Sequence, residues 1–280
     1  MPKAPVKTAV AAEPRIRRGY FESRYGQLHV HNAIPPGGGF DEATSLICLH
    51  ATPRSGDSLA PLMTLMGADR SVYVPDLPGY GYSDGPSAPP AITDYSEAVQ
   101  DFCASMRFRQ IDVLGYQVGA LAAVELALAL PKVVRRVVLI GVPIPTEAEK
   151  EAFRRAPWPL QPVADGSHLA VEWNRVRESV HPGAPVATIA RACAEVLANG
   201  PHAAWGLNAA MHYAAATRLP LLTQPALLLR SRDERGGGGS RARELLSKAR
   251  VAELPDLGGS DLFEASAQTL VPVLRDFLKG

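Results

Sequence analysis

The stretch Ile111-Asp112-Val113-Leu114-Gly115-Tyr116-Gln117-Val118-Gly119-Ala120 is where residue type and spacing bear most directly on chemistry. An apolar run with strand character passes through Gly-x-x-x-Gly straight into an Ala/Leu-rich run with helix character. Strand and helix must pack against each other at once, and small residues at the two outer positions permit that. The middle residue, Gln117, is then forced into a strained backbone conformation with its side chain exposed above the sheet. A side chain presented there could act on a ligand, but Gln is no nucleophile. Its amide attacks carbon poorly, has no useful pKa, and can only donate and accept hydrogen bonds. Elsewhere, Cys48 falls in mid-strand and reads as a small buried hydrophobe rather than a thiolate. His181, His202 and His212 are candidate bases, and no histidine follows His212.

The elements that must position Gln117 follow from the hydrophobic pattern. Tyr20 to Tyr25 and Gln27 to Ile34 read as two strands of a hairpin joined at Gly26. Short apolar runs follow at Ser45 to Leu49, Ser71 to Val74, Ile111 to Leu114, Val137 to Ile140 and Ala226 to Leu229, with Arg250 to Leu254 last. They have the composition of strands buried on both faces. Helical stretches lie between them, at Ser58 to Met66, Thr93 to Met106, Val118 to Leu130 and Ala267 to Leu278. This alternation predicts an α/β fold: a mostly parallel twisted sheet with helices on both faces. It stops between Pro143 and Leu222, where helical patterns run at Ala170 to Val180 and Val186 to Ala198. That segment carries all three tryptophans, Trp158, Trp173 and Trp205. We read residues 144–218 as a helical cap over the C-terminal strand ends, with a core formed by 18–143 and 219–280. Residues 1–17 read as a disordered leader and Gly236 to Ser240 as a floppy loop. The glycine run is also similar to an engineered linker.

The order of motifs resembles the α/β-hydrolase superfamily, in the branch of epoxide hydrolases, haloalkane dehalogenases and prolyl-iminopeptidase-like enzymes. The resemblance spans roughly residues 18 to 280. It rests on Leu49-His50-Ala51-Thr52-Pro53, similar to the family's His-Gly-x-Pro loop with Ala51 for Gly. It rests also on Val74-Pro75-Asp76-Leu77-Pro78-Gly79-Tyr80-Gly81-Tyr82-Ser83-Asp84 and on Gly115 to Gly119. The resemblance implies an α/β-hydrolase fold with the nucleophile position at Gln117. It puts the acid position at Asp233, after Leu227-Leu228-Leu229-Arg230-Ser231-Arg232. Its histidine position falls at Ser260, or at Gly259 with a register shift of one. Nucleophile and histidine are thus both replaced, and general-base chemistry by the usual imidazole is gone. Asp233 is left without an imidazole to orient; pairing with Arg230, Arg232 or Arg235 is its simpler reading. The family's oxyanion hole would survive, because it is backbone: the N–H groups of Thr52 and Val118. Gln117 either adds a donor to that hole or plugs it. His50 reads as a brace beneath its loop more than as a catalytic group, while Asp76, Ser83 and Asp84 read as ties between loop and sheet. Trp205 and Tyr213, with the other cap tryptophans, either line a pocket or form the cap's own core.

Composition excludes several classes. The chain has 280 residues, 46% hydrophobic and 20% charged, with a formal net charge of +1. Nothing there argues for nucleic acid or an anionic membrane. No apolar stretch is long enough for a span. Cys48, Cys103 and Cys193 fit neither a disulfide framework nor a metal-ligand pattern, which favours a reducing cytoplasm and no metal or cofactor. The expected partner is a small-molecule ligand, with a homodimer left open. Three functions stay open: non-covalent chemistry on a small organic molecule, non-catalytic ligand binding or scaffolding, and a hydrolase engineered or inactivated at its triad.

Overall fold

A computed structural model describes residues 14–36, 43–155, 161–231 and 238–279. Eight strands form one sheet: β1 (Ile16–Ser23), β2 (Gly26–Ala33), β3 (Ala43–Leu49), β4 (Arg70–Pro75), β5 (Ile111–Tyr116), β6 (Val134–Ile140), β7 (Ala226–Ser231) and β8 (Arg250–Leu254). Their spatial order is β1-β2-β4-β3-β5-β6-β7-β8. β1 and β2 form the expected hairpin, and β2 runs antiparallel to β4. All later pairings are parallel. β1 begins at Ile16, so two residues assigned to the leader already belong to the sheet.

The central strands are apolar on both faces because helices cover both faces. On one side lie α2 (Ile92–Ser105) and α3 (Val118–Ala129), over a core that includes Val113, Leu139 and Leu228. On the other lie α1 (Ala60–Met66) and α10 (Leu262–Leu278), over Leu114, Val138 and Leu227. Residues 118–127 of α3 are all buried. A helix apolar all round belongs inside a protein, and here it directly follows the strand that ends at Gln117.

Between β6 and β7 the chain forms α4 (Glu147–Arg155), α5 (Ser167–Ser179), α6 (Val186–Asn199), α7 (Trp205–His212) and α8 (Ala215–Arg218). α5 and α6 share a small core of their own around Val176, Ile189, Cys193 and Val196. One local expectation fails. Gly238, Gly239 and Ser240 are not a loose loop but open α9 (Gly238–Leu245), with both glycines buried. The physical reason is packing: Arg241 and Ala242, in the next turn, anchor the helix, Arg241 Nε donating to the Ile144 carbonyl at 2.7 Å. Gly236 and Gly237 lie outside the described residues, as do Trp158 and Asp233.

Candidate active site

Gln117 sits between β5 and α3 with φ 50° and ψ −116°, one of two non-glycine residues with positive φ among those described. Its neighbours explain how the chain accepts that strain. A Cβ on Gly115 would lie 2.3 Å from the Gly119 carbonyl oxygen. One on Gly119 would lie 2.2 Å from the Leu49 carbonyl oxygen. Strand, turn and helix can close this tightly only with glycine at both places. The Gln117 N–H donates to the Ile140 carbonyl at 2.9 Å, and its own carbonyl accepts from Ala120 N–H at 2.9 Å. The side chain is tethered too: Nε2 donates to Tyr116 Oη at 3.2 Å, and Tyr116 Oη donates to the Gly259 carbonyl at 3.0 Å. Gln117 is thereby linked, through one phenol, to the turn that carries Ser260.

A cavity of about 280 Å³ opens over this turn. Ala51, Thr52, Gln117 and Ser260 line it from the sheet side, and Val176, Ala192, Val196 and Leu207 from the helical segment. Gln117 and Leu207 also border a second hollow of about 280 Å³ toward Ile144 and Met211. Val118 is the first residue of α3, so its N–H has no partner within the helix. The sequence candidates Gln117, Thr52 and Ser260 therefore come together at one cavity, with Val118 directly behind Gln117. Asp233 falls outside the described residues.

The remaining candidates do different work. His50 is fully buried and uses both ring nitrogens on backbone: Nδ1 donates to the Ala51 carbonyl at 2.9 Å and Nε2 accepts from Leu77 N–H at 2.8 Å. That pattern fixes the tautomer, and burial holds its pKa below the ordinary histidine value. His50 braces two loops and has no nitrogen left for a ligand. Trp205 packs against the His202 ring at 4.1 Å and does not line the cavity over Gln117. Tyr213 donates to Glu125 at 2.6 Å, in a separate hollow with Arg218. Asp76 is fully buried and accepts from Gly56 N–H at 2.7 Å and from His29 Nδ1 at 2.8 Å. Ser83 Oγ donates to the Asp76 carbonyl, and Asp84 accepts from Gln27 N–H. These tie the loop after β4 to β2 and to the turn at Gly56.

Two polar clusters beside the cavity were not legible in the sequence. Arg54, 3% exposed, donates from Nε to Glu195 of α6, from Nη2 to Glu264 of α10 at 2.7 Å, and from Nη1 to the Ser260 carbonyl at 2.8 Å. One cation thus faces two carboxylates. Burial pushes the Glu195 carboxyl up; Arg54 opposes that shift and the Glu264 charge adds to it. The second cluster joins the turn after β8 to the end of α5. Ser260 N–H donates to the Ser179 carbonyl at 2.8 Å, and the two serine hydroxyls hydrogen-bond at 2.8 Å. Asp261, 1% exposed, accepts from His181 N–H at 2.9 Å and bonds His181 Nδ1.

Residues 44–175 match the family model described as the alpha/beta hydrolase fold. The chain has the α/β-hydrolase fold. Among solved structures, a hydrolase from Pseudomonas aeruginosa PA01 superposes with a TM-score of 0.78 at 16% identity, over 94% of this chain and 98% of that one. The enol-lactonase from Burkholderia xenovorans LB400 gives 0.76 at 16% identity, over 94% of this hydrolase-fold chain and 100% of that one. An epoxide hydrolase gives 0.73 at 14% identity, over 95% and 99%. Such identities establish a common fold. Uncharacterized proteins of Mycobacterium tuberculosis and Mycobacterium bovis are 28% identical over 90 residues. That match covers 32% of this chain and only 26% of those relatives' length.

Proposed function

We propose that this α/β-hydrolase-fold protein binds a small, largely apolar organic molecule beneath a helical cap, and that any transformation of it proceeds without a covalent enzyme intermediate. The observation that carries the reading is the open cavity of about 280 Å³ over Gln117, where Thr52, Gln117 and Ser260 face Val176, Ala192 and Val196, with Arg175 and Ser179 at the same helical wall. Its size is near the lower end of the roughly 300–1,000 Å³ usual for small-molecule sites. The backbone donors of Thr52 and Val118 suit a carbonyl or carboxylate oxygen, and the Gln117 amide adds a neutral donor or acceptor beside them. A group that cannot be acylated, with no histidine at position 260, suits orientation and polarisation of a ligand rather than nucleophilic attack.

The test is a thermal-shift screen of small carboxylates, esters and lactones, run in parallel on the wild type and on Val196→Trp, which fills the cavity. Hits should stabilise the wild type and not the filled variant. Gln117→Ala should weaken a hit by about two- to ten-fold, the net worth of one neutral hydrogen bond. Ligands that stabilise Val196→Trp as well as wild type would place binding elsewhere and overturn the proposal.

A further inference from the structure

We propose a divalent metal site, with zinc the best-fitting ion, formed by His29 and His31 of β2 and Asp76 at the end of β4. It is separate from the cavity over Gln117. The two histidines are two residues apart on one strand, so their side chains leave the same face. β2 pairs with β4 through Val30 and Pro75, which brings Asp76 beside them. All three side chains are at most 2% exposed, and their nitrogen and oxygen donors lie within 4.8 Å of one another.

Two independent features point to a ligand rather than to packing alone. First, His31 Nε2 is buried and has no hydrogen-bond partner. It faces Asp76 Oδ1 at 3.4 Å, outside hydrogen-bonding geometry. That spacing is what two ligands subtend at a tetrahedral ion with bonds of about 2.0–2.2 Å. An unpaired, buried ring nitrogen costs on the order of 1–3 kcal/mol, which an ion would relieve. Second, the other nitrogen of His31, Nδ1, faces Asp57 Oδ1 at 3.6 Å. That is beyond hydrogen-bonding distance, but a carboxylate behind a ligating imidazole is the usual support for a metal-bound histidine, and a small closure would let Asp57 accept from Nδ1–H and leave Nε2 to the ion. Two imidazoles and one carboxylate are donors suited to zinc and its first-row neighbours rather than to calcium or magnesium.

The three donors are themselves closed off, but their neighbours Asp57 and Gly81 border a hollow from which an ion would approach. That hollow, of about 300 Å³, is also lined by Ser55, Tyr82 and Glu195 among others. The wall toward Asp76 is glycine: a Cβ on Gly81 would lie 2.2 Å from Asp76 Oδ2. Metal entry needs one rearrangement. His29 Nδ1 now donates to Asp76 Oδ2, so on binding the neutral ring carries its proton on Nε2 instead and offers Nδ1 to the ion.

The test uses untagged full-length protein, stripped by chelator, desalted and titrated with Zn(II), with Co(II) as a spectroscopic stand-in. Wild type should retain stoichiometric zinc through gel filtration, show tetrahedral Co(II) absorption, and melt higher with zinc than without. His31→Gln should lose zinc retention and the Co(II) spectrum. Asp57→Asn, a partly exposed change outside the buried cluster, should remain folded and weaken zinc by at least about ten-fold. A folded wild type that retains no zinc and shows no zinc-dependent melting shift would overturn the proposal. So would zinc retained at full stoichiometry by His31→Gln, or, should that variant not fold, undiminished affinity in Asp57→Asn.

Discussion

Replacing Gln117 by glycine isolates the strain stored at the turn. A non-glycine residue held at φ 50° and ψ −116° costs about 1–3 kcal/mol, which glycine releases. Two losses oppose that gain. The Nε2 to Tyr116 Oη hydrogen bond is long, 3.2 Å, and only partly buried, so its removal costs near the lower end of about 0.5–1.5 kcal/mol. Glycine also loses more backbone entropy on folding, about 0.5–1 kcal/mol. With mid-range values the balance is a gain of about 0.7 kcal/mol, within a span from a loss of about 0.5 to a gain of about 2 kcal/mol, or about −1 to +5 °C in Tm for a domain of this size. Gln117→Ala keeps the strain and loses the hydrogen bond, so it should fall slightly below wild type. Gly119→Ala meets the Leu49 carbonyl oxygen at 2.2 Å and its carbon at 2.5 Å, backbone that cannot move aside. It should lose at least about 3 kcal/mol, as overpacked sites do. The assay is urea unfolding with thermal melts as a cross-check, and the predicted order is Gln117→Gly at or above wild type, then Gln117→Ala, then Gly119→Ala. A Gln117→Gly protein that melts more than about 3 °C below wild type would refute the strain argument.

The protein should turn over p-nitrophenyl acetate at no more than the residual rate left by backbone donors, about 10³–10⁴ over water, and take no stoichiometric adduct from a serine-directed fluorophosphonate. Gln117→Ser with Ser260→His should yield esterase activity that neither single change gives; equal activity in Gln117→Ser alone would show that a different base serves the site. Arg54→Met leaves Glu195 and Glu264 facing each other in a dry setting and should cost about 3–5 kcal/mol, measured by urea unfolding. Glu195→Gln acts the other way. The folded carboxyl's pKa is raised, so the unfolded chain gives up its proton first, and the penalty grows as pH rises from the ordinary carboxylate range through the folded value. The variant should therefore match or exceed wild type at about pH 8 and lose that advantage near pH 4, where both states are protonated. Asp261→Asn weakens the contact to His181 and should increase hydrogen exchange at residues 179–181, where α5 ends, more than in β5.

What the sequence made legible was what local rules determine. The strand runs at Ser45, Ser71, Ile111, Val137 and Ala226 are short, apolar and flanked by helical periodicity, so the parallel sheet followed from burial alone. The sharp turn at Gln117 was legible for the same reason, because Gly115 and Gly119 leave the backbone between strand and helix little alternative. Helix α9 was not legible: four glycines carry no helical propensity, and its start is held by contacts that Arg241 makes far along the chain at Ile144. The clusters beside the cavity were hidden for a related reason. Arg54, Glu195 and Glu264 are separated by 141 and 69 positions, so no spacing rule links them; only the fold brings one guanidinium between two carboxylates. The same holds for His29, His31 and Asp76. Alternation at 29 and 31 puts two imidazoles on one face, but the third donor arrives only through the antiparallel pairing of β2 with β4. Residues that act through the backbone or through one neighbouring turn can thus be found from sequence. Those that act by meeting across the sheet need its strand order first, and in this protein that second group surrounds both the cavity and the buried imidazoles.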